Sequence, residues 1–171
     1  MNLLATRGVS EIDALLASNA GYAPNHEQIE SARPRRRIAV VTCMDARIDV
    51  FAVLGLDLGE AHVLRNAGGR ITDDMLRSLA LSTHVLGVDT VVVMQHTKCG
   101  LAGVTDQELW ARTGAGFRFL PIDDHGAALQ EDVDLLASIQ FLPDITTVSG
   151  CIYDIETGHV DEVVRWERPA S

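Results

Sequence analysis

Apolar and polar residues along the chain form short blocks that predict strands separated by helices. Strands are predicted where β-branched residues cluster in runs too short for a helix, since such runs are typical of strands buried inside a sheet. The runs are RIAVVTCMD (37–45), the weaker AHVLRN (61–66), DTVVVMQHTKCG (89–100) and ITTVSGCIYD (145–154). After a turn at ETG, the segment HVDEVVRW (159–166) predicts a returning strand that forms an antiparallel hairpin at the edge of the sheet.

Three further segments carry apolar residues at helical spacing. Residues 72–87 begin with Thr72, a residue type that caps helices, followed by two aspartates whose charge the helix dipole favours. Residues 126–142 end before Pro143, and residues 9–17 predict a short amphipathic helix. Strands alternating with helices indicate an α/β fold. We expect a mostly parallel central sheet of four strands plus an antiparallel edge strand, helices on both faces and an N-terminal helical arm.

The composition is that of an ordinary globular protein. With 171 residues, 47% hydrophobic and 22% charged, the chain is expected to form a single domain over residues 1–171, with residues 1–30 as the helical arm. No apolar run is long enough to cross a bilayer and no signal peptide is evident, so we expect a cytoplasmic location. A formal net charge of −10 disfavours nucleic acid and anionic membranes as partners, because both require neutralising Lys and Arg. A nucleotide-binding domain is also disfavoured, since the AGGR after the second strand is not a G-x-G-x-x-G motif.

Candidate metal ligands stand at the ends of two predicted strands. Cys43 ends the first strand, while His96 and Cys99 end the third. Ligands of open parallel sheets bind beyond the carboxyl ends of the strands, so these distant residues are predicted to meet in one site. An H-x-x-C pair alone is weak evidence for a metal. Together with Cys43 it supplies three ligands, the number with which a catalytic zinc site leaves its fourth position for water. Cys151, in mid-strand, is predicted to be a small core residue.

Asp45 and Arg47 follow Cys43 at alternate positions. If the backbone stays extended, these side chains point the same way, toward the metal. Asp45 could then be a fourth ligand or stand just outside as a hydrogen-bond acceptor, and a bidentate pair with Arg47 would decide between the two. In the alternative interpretation, Asp45 caps a helix that starts near Ile48 and Arg47 is a surface charge. The neighbouring H-x-x-C pair favours the first interpretation.

Three motifs, in their order and spacing, resemble those of the β-class carbonic anhydrases. They are CMDAR (43–47), RNAG (65–68) and HTKCG (96–100), and the closing GCIYDIETGHV is similar to the late strand and hairpin of that family. The resemblance implies an enzyme that reversibly hydrates carbon dioxide to bicarbonate by means of a zinc-bound hydroxide, with one zinc per chain. It also implies self-association as a dimer or dimer of dimers, with the N-terminal helix reaching across the partner.

The resemblance also implies roles for five residues. Cys43, His96 and Cys99 would be the zinc ligands, and Asp45 with Arg47 the catalytic dyad. Asp45 is also a candidate metal ligand. If its carboxylate moved onto the zinc, it would displace the nucleophile. The same scaffold and ligands serve hydrolases of carbonyl sulfide and carbon disulfide, which remain an alternative. An alternative of another class is a non-catalytic zinc-binding or redox-sensing module in which Asp45 closes a four-ligand site.

Overall fold

The structure, a computed structural model, describes residues 9–169 of the chain. Its strands are β1 (Ile38–Cys43), β2 (Ala61–Asn66), β3 (Thr90–His96), β4 (Thr147–Tyr153) and β5 (Val160–Glu167). Its helices are α1 (Glu11–Tyr22), α2 (Val50–Leu54), α3 (Asp73–His84), α4 (Asp106–Thr113) and α5 (His125–Ser138), and 3-10 turns cover Ala23–Asn25 and Ala67–Gly69. No helix within the described residues is both long and apolar enough to cross a membrane.

The described residues up to Glu30 form one compact unit, and those from Ser31 onward form another. In the first unit, α1 begins at a capping box in which Ser10 and Asp13 exchange hydrogen bonds between side chain and backbone. The predicted helix over residues 9–17 is therefore present, although it extends further, to Tyr22. Its apolar residues Ile12, Leu15 and Leu16 are exposed.

The second unit contains a single five-stranded sheet with the order β2-β1-β3-β4-β5. The first four strands pair in parallel, and β5 pairs antiparallel with β4. This arrangement confirms the predicted fold class. The central strands β1 and β3 are flanked on both sides and buried on both faces, which explains why their sequences are nearly continuous runs of β-branched residues.

Alternate residues of the central strands face two separate apolar layers. On one face the odd-numbered strand residues pack against α3 and α5, and this layer includes Val41, Val93, Leu79, Leu129 and Val133. On the other face the layer includes Val40, Met94, Val50, Leu101 and Ile122, so α2 and the segment after β3 cover it. Each fully buried side chain of this kind contributes about 1.5–3 kcal/mol to stability. The carboxyl ends of β1 and β3 therefore extend from strands that are packed on both faces by buried apolar side chains.

Two details of the fold differ from the sequence pattern. The short helix α2 was expected only in the alternative interpretation of Asp45, because five residues carry too little helical periodicity to be recognised. The helical spacing of residues 126–142 predicts a buried stripe that includes Leu129, Val133, Leu135 and Leu136, and all of these are buried in α5 except Leu135, which is exposed.

Candidate metal centre

Three predicted metal ligands come together at the carboxyl edge of the sheet. Strands β1 and β3 are parallel neighbours with Thr42 opposite Met94, so Cys43 and His96 leave the sheet side by side. Cys99 follows in the turn after β3. The potential ligand atoms of Cys43, His96 and Cys99 all lie within 4.8 Å of one another, and the two sulfurs are 3.9 Å apart. All three residues are buried. Cys151 is buried in the core, as predicted, and lies outside this group.

The turn between His96 and Cys99 depends on an unusual backbone conformation. Lys98 has a φ of 54°, in the left-handed region that a residue with a Cβ rarely adopts. This conformation turns the chain sharply, so that Cys99 lies beside the other two ligands. It also leaves the Lys98 carbonyl oxygen 3.1 Å from Nη2 of Arg47, which donates a hydrogen bond to it.

His96 is in the tautomer that a metal ligand requires. Its Nδ1 lies 2.8 Å from the carbonyl oxygen of Thr97. A carbonyl only accepts hydrogen bonds, so Nδ1 carries a proton and Nε2 is the ring nitrogen that can bind a metal. Among the described residues, Nε2 is fully buried without a hydrogen-bond partner. A buried polar atom left unpaired costs stability, and a bound cation would remove that cost.

The two thiols also favour a bound cation. A hydrogen bond from Cys99 lowers the pKa of Cys43 well below its ordinary value, and His96 and two backbone amides add to this effect against the opposing effect of burial. The hydrogen bond with Cys43, together with burial, in turn raises the pKa of Cys99. The pair by itself therefore holds one negative charge, and a cation is needed to stabilise both thiolates. Two thiolates and one neutral imidazole are a donor set that suits zinc.

Asp45 is bound by Arg47 through both carboxylate oxygens. Oδ1 accepts hydrogen bonds from the backbone N–H of Arg47 at 3.0 Å and from its Nε at 2.9 Å, and Oδ2 accepts one from Nη2 at 2.6 Å. These bonds hold the pKa of Asp45 far below its usual value, so the carboxylate is ionised at neutral pH. Oδ2 is 3.8 Å from Nε2 of His96. The carboxylate therefore lies next to the three ligands while Arg47 holds it from the other side.

The route by which these residues meet differs from the prediction. The expectation that the chain stays extended from Cys43 to Arg47 is wrong, because β1 ends at Cys43 and the Asp45 side chain binds the backbone of Arg47 two residues later, forming a tight turn. The alternative that Asp45 caps a helix starting near Ile48 is also wrong. Helix α2 begins at Val50, and its capping side chain is Asp49.

The turn after β2 supports the end of β1. Asn66 fixes the turn by accepting a hydrogen bond from the backbone N–H of Arg70 at 3.0 Å and donating one to its carbonyl at 2.8 Å. Gly69 has a φ of 64°, and a Cβ at this position would lie 2.9 Å from the carbonyl carbon of Thr42. Only glycine allows this close approach beside Cys43. These residues therefore form a turn that packs against the end of β1.

Two arginines near the centre have contacts that the sequence pattern did not reveal. Arg65 donates hydrogen bonds to three backbone carbonyls in the segment from Cys43 to Ile48. Arg70 forms a buried ion pair with Asp132 of α5, at 2.7 Å. The only sequence signal for Arg65 was its place in the RNAG motif, and the pairing of Arg70 with a residue far along the chain leaves no local pattern.

Comparisons with known proteins agree with the geometry of the centre. A protein-family model described as Carbonic anhydrase matches residues 38–115. The β-carbonic anhydrase 1 of Mycobacterium tuberculosis is 37% identical over 158 residues, which cover 88% of this chain and 96% of the relative. A carbon disulfide hydrolase of Acidithiobacillus thiooxidans is 32% identical over 151 residues, which cover 73% of this chain and 76% of the relative.

The same relationship is found among solved structures. The carbonic anhydrase of Streptococcus mutans has a TM-score of 0.82 and 40% sequence identity to this protein, and the match covers 92% of this chain and 99% of that chain. Sequence identity, coverage and fold thus point to the same group of proteins as the three motifs. The chain belongs to the β-carbonic anhydrase family.

Proposed function

We propose that the protein is a zinc-dependent enzyme that reversibly hydrates carbon dioxide to bicarbonate. Cys43, His96 and Cys99 would hold one zinc ion per chain, and Asp45 with Arg47 would form the catalytic dyad. The observation that carries this proposal is the position of an ionised, doubly anchored carboxylate directly beside three buried zinc-type ligands. A purely structural zinc site has four protein ligands and does not need this arrangement.

Three residues of the centre would bind the metal, and the dyad would orient the nucleophile. When bound, zinc would act as a Lewis acid that lowers the pKa of a coordinated water and so supplies a nucleophile near neutral pH. Cys43 and Cys99 as thiolates would balance its charge, and the hydrogen bond from Nδ1 of His96 to the Thr97 carbonyl fixes the ring so that Nε2 would face the ion.

Asp45 orients the attacking oxygen. Because the carboxylate is ionised, it can only accept hydrogen bonds, and an O–H group beside Oδ2 would donate to it and turn a lone pair toward the substrate carbon. Arg47 holds the carboxylate in this position and would keep it off a bound metal. The net reaction combines carbon dioxide and water to give bicarbonate and one proton, which leaves to solvent or buffer.

A second candidate activity is the hydrolysis of carbonyl sulfide or carbon disulfide on the same centre. The observation that favours it is the 32% identity to a protein named as a carbon disulfide hydrolase over nearly three quarters of this chain. The three molecules are linear triatomics with an electrophilic carbon, so one nucleophile and one orienting carboxylate could serve them all.

A parallel assay on zinc-loaded protein tests these activities together. Proton release from carbon dioxide is followed by stopped-flow with a pH indicator, and hydrogen sulfide release is measured from carbonyl sulfide and carbon disulfide. We expect one zinc per chain and hydration of carbon dioxide as the fastest reaction. Faster release of hydrogen sulfide would support the second candidate. Stable zinc content without turnover of any of the three substrates would instead support a non-catalytic zinc-binding module.

We also propose that the protein acts as a dimer or a dimer of dimers. The exposed apolar residues Ile12, Leu15 and Leu16 of α1 support this, because a second copy could cover them and residues 1–30 would then act as an arm of a single catalytic domain. Size-exclusion chromatography with light scattering would give the number of chains. The cytoplasmic location stays a prediction, with which three unpaired cysteines agree.

A further inference from the structure

We infer that Arg65 is a positioning residue for the catalytic dyad: it holds the backbone of the segment Cys43–Ile48, so that Asp45 stays beside the metal rather than on it. This inference rests on the proposed function. Within residues 9–169, the Arg65 side chain forms no hydrogen bond with the proposed ligands' donor atoms or the Asp45 carboxylate, and its hydrogen bonds all go to backbone carbonyls.

Each nitrogen of the Arg65 guanidinium binds a different carbonyl of this segment. Nε donates to the carbonyl of Cys43 at 2.9 Å, Nη2 to that of Asp45 at 2.6 Å and Nη1 to that of Ile48 at 3.2 Å. Strand β2 sets this geometry, because Arg65 lies opposite Thr42 in the register with β1. The guanidinium therefore spans the tight turn that carries the metal ligand and the dyad.

The contacts depend on the shape of the side chain rather than on its charge alone. Within residues 9–169, no carboxylate forms a salt bridge with Arg65, although Arg47 and Arg70 nearby both have such partners. Only the planar fork of a guanidinium can reach three diverging acceptors at once. A lysine at this position would keep the positive charge but bind at most part of the segment.

Arg47 and Arg65 thus hold two different parts of Asp45. Arg47 binds its carboxylate, and Arg65 binds its carbonyl, which also accepts the backbone N–H of Ile48 at 3.1 Å. Oδ2 is already 3.8 Å from Nε2 of His96. A small rotation of a loosened turn would therefore bring the carboxylate to the metal, where it would occupy the place of the nucleophile.

Three single variants test whether the shape or the charge of the Arg65 side chain is required. In Arg65→Ala we expect kcat to fall at least about tenfold with zinc content unchanged, because misplacement of a catalytic group by a fraction of an ångström is enough for this loss. Arg65→Lys should show a loss of similar size. Arg77→Ala is the control, since Arg77 is an exposed arginine on α3 with no contact to the segment. Melting temperatures measured by circular dichroism would exclude variants that fail to fold.

A spectroscopic titration reports on the carboxylate independently of turnover. In cobalt-substituted protein, thiocyanate binding at the open metal position is followed by visible absorbance. We expect Arg65→Ala to weaken thiocyanate binding by about the same factor as kcat, because both processes need Asp45 off the metal. The double variant Asp45→Ala/Arg65→Ala should bind thiocyanate as tightly as Asp45→Ala, since no carboxylate is left to compete.

The outcomes distinguish this inference from the proposed function. Wild-type activity in Arg65→Lys, unchanged thiocyanate affinity in Arg65→Ala, or weak binding that persists in the double variant would each overturn the positioning role. If the wild-type protein turns over none of the three substrates, the proposed function fails, but the thiocyanate titration still tests how Arg65 controls Asp45.

Discussion

The substitution Arg47→Ala tests how the dyad works. It removes the two side-chain hydrogen bonds to Asp45 and the one to the Lys98 carbonyl, but the backbone N–H of Arg47 can still donate to Oδ1. Oδ2 then loses its hydrogen bond from Nη2 while it lies 3.8 Å from Nε2 of His96. We expect the freed carboxylate to move to the metal and block the nucleophile's position.

The expected size of the effect follows from this geometry. A displacement of a catalytic group by about 1 Å can cost about 10²-fold in rate, so kcat should fall by about 10²-fold or more. Zinc content should stay at one per chain, because the hydrogen bonds of Arg47 within the described residues go to Asp45 and the Lys98 carbonyl rather than to the three ligand side chains. The melting temperature should change little, since the Arg47 side chain is half exposed to solvent and ion pairs with an exposed partner contribute little to stability.

Stopped-flow carbon dioxide hydration, with zinc measured by plasma mass spectrometry on the same samples, provides the assay. The control is Arg77→Ala, which removes another exposed arginine paired with an aspartate, Asp74, away from the centre. Wild-type turnover in Arg47→Ala at full zinc content would refute the role of Arg47. A loss of zinc in this variant would also contradict the reasoning, because it would make Arg47 a structural support of the ligands.

Three further predictions concern the metal, the pH dependence and the supporting turn. Cys43→Ser should lose zinc together with activity, because one of three protein ligands is removed, and stoichiometric zinc after dialysis would contradict its role. Hydration should accelerate as pH rises above neutrality, since two thiolates offset the charge of zinc and acidify its water less than a tris-histidine site with a pKa of about 7; a flat profile from about pH 6 to 9 would count against this. Gly69→Ala should lower the free energy of unfolding by more than about 1 kcal/mol in urea denaturation, because its new methyl group meets the backbone of Thr42 in a left-handed conformation. Gly103→Ala, which has a similar φ but open space, should cost less, and equal losses would show that backbone strain alone is responsible.

The parts of the fold that were predictable from sequence are those set by local patterns. The β-branched runs around Val40 and Val92 identify the buried central strands, and Thr72 marks the start of α3 as predicted. Once the strands are placed, the topology of a parallel sheet brings Cys43 and His96 to the same edge. The meeting of these ligands could therefore be predicted without any knowledge of the side-chain contacts.

The remaining features depend on contacts that leave no pattern in the sequence. Whether Asp45 bonds to its own turn or points outward from an extended strand is a competition between hydrogen bonds that spacing cannot decide. The buried pair of Arg70 with Asp132 and the three carbonyls bound by Arg65 join segments far apart in the chain. Only the folded register of β1 and β2, and the packing of α5, bring these groups together.

The central claim is that two sulfurs and one imidazole of this chain hold a single zinc ion with one position left for a small molecule. X-ray absorption at the zinc edge of the purified, zinc-loaded protein tests this most directly, because it counts sulfur and lighter ligands separately. We predict two sulfur ligands at about 2.3 Å and two nitrogen or oxygen ligands at about 2.0 Å, with one zinc per chain. A shell with one, three or four sulfurs, or a chain that retains no zinc under gentle purification, would contradict the account.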